Sequence, residues 1–153
     1  MRFFLAGIMQ GSQLGAVIHD QDYRARLKVL LQEHFPEADI YDPLADHGNS
    51  LDYDDDRGRQ VFLHHNDLSA KVDVLVAFVP EASMGTAIEM WQAYRAGRAV
   101  VTISPLALNW TVRFLSHALY ATYDEFALAV ANGSLGRRLE EVLDPGIAGR
   151  AAR

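Results

Sequence analysis

Two hydrophobic periods alternate along the 153-residue chain. Short, continuous apolar runs at about 3–7, 38–41, 74–79 and 99–104, with a last one near 119–121, have the length and composition of strands covered on both faces. Between them the apolar positions recur at helical spacing. A helix is expected over about 20–34, with Tyr23, Leu27, Leu30 and Leu31 on one stripe and Pro36 as its stop. Others are expected over 59–70, from Gly85 to Gly97, over 109–117 with Val112 and Leu115 inward, and at 124–130 and 135–143. Residues 44–58, with Asp46, Asp52, Asp54, Asp55 and Asp56, read as one long irregular loop. Strand–helix alternation of this kind predicts an α/β fold with a parallel sheet of about five strands flanked by helices. The domain is expected to cover 1–143, with 144–153 as a flexible tail.

Composition narrows the function classes. Half the residues are apolar and 22% are charged, as in a globular protein. With no cysteine, a disulfide scaffold, thiolate catalysis and zinc–thiolate sites are excluded. The net charge of −6, without a clustered basic face, argues against a nucleic-acid polymer as partner. No apolar run approaches membrane-spanning length, and the run in Met1-Arg-Phe-Phe-Leu-Ala-Gly7 is too short for an export signal. A cytoplasmic protein with no membrane partner is expected.

The chemistry concentrates in Asp73-Val-Leu-Val-Ala-Phe-Val-Pro-Glu-Ala-Ser-Met-Gly-Thr-Ala-Ile-Glu89. This is a buried strand leading through a turn of small residues into a helix whose amino end favours phosphate, sugar hydroxyls or developing negative charge. Glu89 can face that space, but Thr86-x-x-Glu89 also fits a capping box, in which the carboxylate only folds back on the Thr86 amide. Asp67, in the helix before the same strand, offers a second acid. Two carboxylates around one pocket suit glycosidic bond cleavage, one attacking the sugar and one managing the leaving group's proton. The first loop, Ile8-Met-Gln-Gly-Ser-Gln-Leu-Gly15, follows a strand end, where open α/β sheets bind ligands. Metals are not expected: Asp52-Tyr-Asp-Asp-Asp-Arg-Gly lacks the spacing of a calcium loop, and adjacent His64 and His65 point about 100° apart on a helix. One of these histidines should pack and the other face solvent.

These segments together resemble the nucleoside 2-deoxyribosyltransferase superfamily, which includes 2′-deoxynucleoside 5′-monophosphate N-hydrolases. The resemblance spans roughly residues 3 to 120. It rests on Phe3-Phe-Leu-Ala-Gly7, Asn66-Asp67-Leu68, Val72-Asp-Val-Leu-Val-Ala77, Gly85-Thr-Ala-Ile-Glu89 and Ala93-Tyr-Arg-Ala-Gly-Arg-Ala-Val100. It implies a flavodoxin-like fold, Glu89 as nucleophile at the anomeric carbon, Asp67 as the acid, and no metal or organic cofactor. Ser83 stands where transferases carry an aspartate and the hydrolases a phosphate-holding serine. Arg113-Phe-Leu-Ser116 is similar to a hydrolase segment whose serine reaches phosphate across a dimer interface. The first loop, by contrast, lacks the serine and arginine that the hydrolases place after the glycine, and Phe4 stands where many members have a tyrosine touching the glutamate.

The expected activity is cleavage or transfer at the N-glycosidic bond of a nucleoside, nucleotide or related N-riboside. Gly7, Gln10, Ser12, Ser83, Gly85 and Thr86 would line the pocket, with Ser116 supplied from a neighbouring copy. Trp110, Phe114 and Leu115 predict a homodimer or higher homo-oligomer. A non-catalytic nucleotide-binding module on the same fold is the alternative. A response-regulator domain is excluded, since the strand ends lack its acidic cluster and the only lysines are Lys28 and Lys71.

Overall fold

Strand β1 (Arg2–Gly7) occupies an inner position in the sheet, with β2 (Asp39–Tyr41) on one side and β3 (Val74–Phe78) on the other. Beyond β3 follow β4 (Ala99–Ile103) and β5 (Ala118–Tyr120), every pairing being parallel. The order β2-β1-β3-β4-β5 is the flavodoxin-like one, and the chain reverses direction across the sheet between β1 and β3. This computed structural model describes residues 1–11, 14 and 18–144. Ser12 and the expected tail from 145 onward lie outside the described residues.

The strand side chains alternate as the pleat requires. Phe3, Leu5, Val74, Val76, Ala99 and Val101 are buried against α1 (Asp22–His34), α5 (Tyr123–Ala131) and α6 (Ser134–Leu143). Phe4, Ala6, Leu75, Ala77 and Val100 are buried on the opposite face, with Met90 and Ala93 of α3 (Met84–Arg95) and with Leu68 of α2 (Asp55–Ser69) packed against them. Both faces are covered, which explains why the strands read as unbroken apolar runs.

The helix starts depart most from expectation. Helix α2 begins at Asp55 instead of 59, because the Asp54 carboxylate accepts from the Arg57 amide at 2.8 Å. Asp55 and Asp56 then sit in the first turn, where acids complement the helix dipole. The acidic stretch is therefore partly a helix start, and a short 3₁₀ turn at Ser50–Asp52 interrupts the rest of the expected loop. Helix α4 (Trp110–Leu115) is capped by the Asn109 side chain.

Candidate active site

The β3–α3 connection defines the amino end of α3. Ser83 has extended backbone, and its Oγ accepts from the Thr86 amide at 3.4 Å and lies 3.0 Å from Thr86 Oγ1. Ser83 is thus the cap, and the acid of a capping box would fall at position 86, which is threonine. Glu89 lies three residues further on and has no capping role. Thr86 is buried, and the Met84 and Gly85 amides find no acceptor among the described bonds. A Cβ at Gly85 would meet open space, so this glycine leaves the helix end uncovered without being required by packing.

Glu89 is partly buried on the sheet side of α3. Burial pushes its carboxyl up to about 7, against the opposing pull of the Arg24 guanidinium. Its neighbours come from α1, whose amino end stands at the carboxyl ends of the strands. The Tyr23 ring stacks on Phe78 with centroids 4.3 Å apart. A side chain at position 7 would bring a Cβ within 2.2 Å of the Tyr23 hydroxyl. Gly7 is therefore glycine because Tyr23 packs over the end of β1. Burial raises the Tyr23 phenol to about 12; Arg24 works against this, while Asp42 and Glu89 add to it. Tyr23 is therefore a neutral phenol close enough to Glu89 to feel its charge.

Arg24 is held through its Nε and Nη1 nitrogens. It is 3% exposed and donates to the Leu5 carbonyl at 2.8 Å, to Asp42 Oδ1 at 2.9 Å and to Gln21 Oε1 at 2.7 Å. Held through Nε and Nη1, the guanidinium is a fixed positive charge beneath the site.

Two cavities open at the same end of the sheet. The first, of about 360 Å³, is lined by Gly11, Val79, Ser83, Ala87, Met90 and Asn109, among others. The second, of about 330 Å³, lies among Gln10, Leu51, Tyr53, Phe62, His47 and His65. Because Gln10 and Gly11 are chain neighbours, the cavities lie on either side of the first loop. His19 Nδ1 of that segment stands 3.4 Å from the Glu81 carboxylate, linking it to the β3–α3 connection. Glu89 lines neither cavity, and no lysine or arginine does so among the described residues.

The residues expected at the site separate into groups. Ser83 and Gln10 meet the cavities, while Gly7, Thr86 and Glu89 line neither, and Gly85 stands at the open helix end. Asp67 is exposed on α2 and, like Glu89, lines neither cavity. Ser116 is turned into its own chain, its Oγ bonding Thr102 Oγ1 at 2.6 Å and the Val112 carbonyl. Phe4 is fully buried, against Tyr41 and His65. Of the adjacent histidines, His65 packs and His64 is exposed. Sequence reasoning assigned Tyr23 only to the core. The available signal was its place on the first turn of a helix antiparallel to the sheet, which sets a phenol at the strands' carboxyl ends. Among the described residues, no group of three or more acidic, histidine or cysteine side chains could hold a metal, and no helix is long and apolar enough to cross a membrane.

This is a flavodoxin-like α/β arrangement, and solved structures of other proteins share it. The chain is similar to the 2-deoxyribosyltransferase of Bacillus psychrosaccharolyticus, at 14% identity and a TM-score of 0.64, over 83% of this chain and 90% of that one. It is also similar to BlsM, at 19% identity and a TM-score of 0.67, over 94% of each chain. The CMP N-glycosidase BcmB of Clostridium botulinum matches at 19% identity and a TM-score of 0.50, over 86% of this chain and 98% of that one. No family model and no curated protein matches the sequence.

Proposed function

We propose that the protein cleaves or transfers the N-glycosidic bond of a nucleoside, nucleotide or related N-riboside, with Glu89 as nucleophile. The observation that carries this reading is the state of Glu89: a carboxyl at the carboxyl end of a parallel sheet, relieved of capping by Ser83, beside a neutral phenol and a fixed guanidinium. A non-catalytic binding module has no need for a carboxyl kept at the cost of its own ionisation. Fold relatives that are a deoxyribosyltransferase and a CMP N-glycosidase point to the same chemistry.

In this mechanism the ionised carboxylate attacks the anomeric carbon as the carbon–nitrogen bond breaks, and the base departs with the electron pair. Water or a second base then takes the sugar from the glycosyl-enzyme ester. Arg24 favours the ionised form needed for attack, and the Tyr23 ring, whose hydroxyl is directed at the Ile8 carbonyl at 3.4 Å, stands beside the carboxylate as a neutral wall. The leaving base takes its proton from Asp67, the second acid of this reading, or from solvent. Ser83 and the uncovered amides of α3 are the sugar- or phosphate-facing groups. The protein acts as a homo-oligomer through the face carrying Trp91, Trp110 and Phe114, which are 50%, 76% and 55% exposed.

The test is to incubate the protein with a panel of nucleosides and their monophosphates, with and without an acceptor base, and to follow base release or exchange by chromatography. Glu89→Gln should be inert in every lane where the wild type reacts. A fully active Glu89→Gln protein rejects the nucleophile.

A further inference from the structure

We propose that His117 is a proton-operated latch at the outer edge of the sheet: its neutral imidazole ties the start of β5 to β4, and acid opens that joint. The ladder between the two strands begins at Val101 and Ala118. One step before it, the His117 amide donates to the Val100 carbonyl at 2.8 Å, and the Val100 amide donates to His117 Nδ1 at 3.0 Å. An imidazole here takes the place that a backbone carbonyl fills in an ordinary parallel ladder. The latch stands whether or not Glu89 is a nucleophile.

An Nδ1 that accepts is bare, so the proton of the neutral ring sits on Nε2. Protonation puts a hydrogen on Nδ1 as well, and that hydrogen meets the Val100 N–H donor to donor. Val100 is fully buried, and a buried amide stripped of its acceptor is costly to keep in place. Groups from three elements bear on the ring's charge. Tyr94 of α3 stacks on it with centroids 5.5 Å apart, and a phenol face weakly favours a cation. Arg138 of α6 donates through Nε to the His117 carbonyl at 2.9 Å and pairs with Glu141 at 2.9 Å. From β4 the ring meets the Val100 backbone. Burial, with Arg138 beside it, outweighs the stacked phenol and pulls the ring below the ordinary 6.5. As pH falls through 6.5 the opened joint takes up a proton before the closed one does, so the open form gains until the closed ring titrates too. Ser116 Oγ keeps its bond to Thr102 Oγ1 whatever the charge on the ring, so the opening is confined to the start of β5.

The experiment follows amide hydrogen exchange and ring-nitrogen shifts by NMR on the intact, labelled chain from about pH 8 to about pH 4.5, with exchange corrected for its intrinsic pH dependence. At high pH the wild-type ring should carry its proton on Nε2. On acidification the Val100 and His117 amides should lose about tenfold in protection, the worth of one ordinary hydrogen bond, while Leu5 in β1 keeps its own. The loss should begin below 6.5 and level off where the ring titrates. His117→Asn supplies an oxygen that can accept in place of Nδ1 and cannot titrate, so both amides should stay protected throughout. Its difference from wild type also cancels the titrations of Glu89 and His65. His117→Phe keeps a ring on Tyr94 but has no acceptor, so Val100 should be open at every pH. A proton on Nδ1 at high pH, or wild-type protection that ignores pH, overturns the proposal. So does a His117→Asn protein that opens with acid as the wild type does, or a folded His117→Phe protein that protects Val100 at high pH. Where a variant does not fold, the match between wild-type protection and ring titration decides alone.

Discussion

Glu89→Gln should make the protein more stable at alkaline pH while destroying its chemistry. Ionising a carboxyl whose folded value is about 7, against an ordinary 4.5, costs the folded state free energy. At 1.36 kcal/mol per pH unit the ceiling is about 3 kcal/mol. The sign follows from proton counting. Below 4.5 both states hold the proton, so Glu89 contributes no pH dependence. Between 4.5 and 7 the unfolded chain has released it and the folded chain has not, so wild-type stability falls as pH rises and levels off above 7. Glutamine cannot ionise, so the gap between variant and wild type should open across that window. For a chain of this length each kcal/mol is worth about 2–4 °C. Allowing for the amide's own unmet hydrogen bonds, a rise of several degrees at pH 8 and little difference at pH 4.5 is expected in paired thermal melts. A helix-capping glutamate predicts the opposite, a loss of about 1 kcal/mol on substitution. A variant that melts below wild type at pH 8, or whose offset does not change with pH, refutes the reasoning.

Turnover itself should rise with pH through about 7, since only ionised Glu89 attacks; a flat kcat/KM profile from pH 6 to 8 would remove the carboxyl from the rate-limiting chemistry. Replacing Arg24 together with its partner, as Arg24→Met with Asp42→Asn, should move that limb to higher pH, because the cation that favours ionised Glu89 is gone; an unmoved profile contradicts the assigned role. Gly7→Ala should cost about 1–3 kcal/mol by displacing the Tyr23 ring and should lower kcat in proportion to lost Tyr23 packing, read by melting and by tyrosine fluorescence. Preference for 5′-monophosphates over nucleosides should stay within about tenfold, because no cation lines either cavity among the described residues. A thousandfold preference in kcat/KM would refute that. Light scattering should show a homo-oligomer that Trp110→Glu dissociates, and a wild-type monomer at micromolar concentration would rule the association out.

The sheet was legible because its strands are buried on both faces, so continuous apolar runs mark them with little ambiguity. The strand–turn–helix junction that carries Glu89 was legible too, from the apolar run and the small-residue turn that follows it. The start of α2 was hidden because aspartates serve equally as loop residues and as cap and first-turn residues, and only the Asp54 bond to the Arg57 amide separates the two. Which way Asp67 faces was hidden for a related reason. A motif reading locates a residue along a helix without fixing its azimuth, and Asp67, two positions from the cavity-lining His65, is exposed. Tyr23 and Arg24 looked like one core residue and one free cation. Their partners, Gly7, Phe78 and Asp42, come from three other segments, and no local pattern announces such a meeting.

The sheet's outline also limits how copies of this chain can associate. Its two outer strands, β2 and β5, have three residues each, against five or six in the inner strands. Edges so short offer few backbone groups for another strand to zip onto, and short edges are one way that proteins blunt sheet-to-sheet growth. The proposed assembly would thereby be directed away from strand addition and onto the helical faces, where Trp91, Trp110 and Phe114 are exposed. A pair built there would remain a discrete, closed unit, with the strand ends that carry the proposed chemistry left open to small molecules.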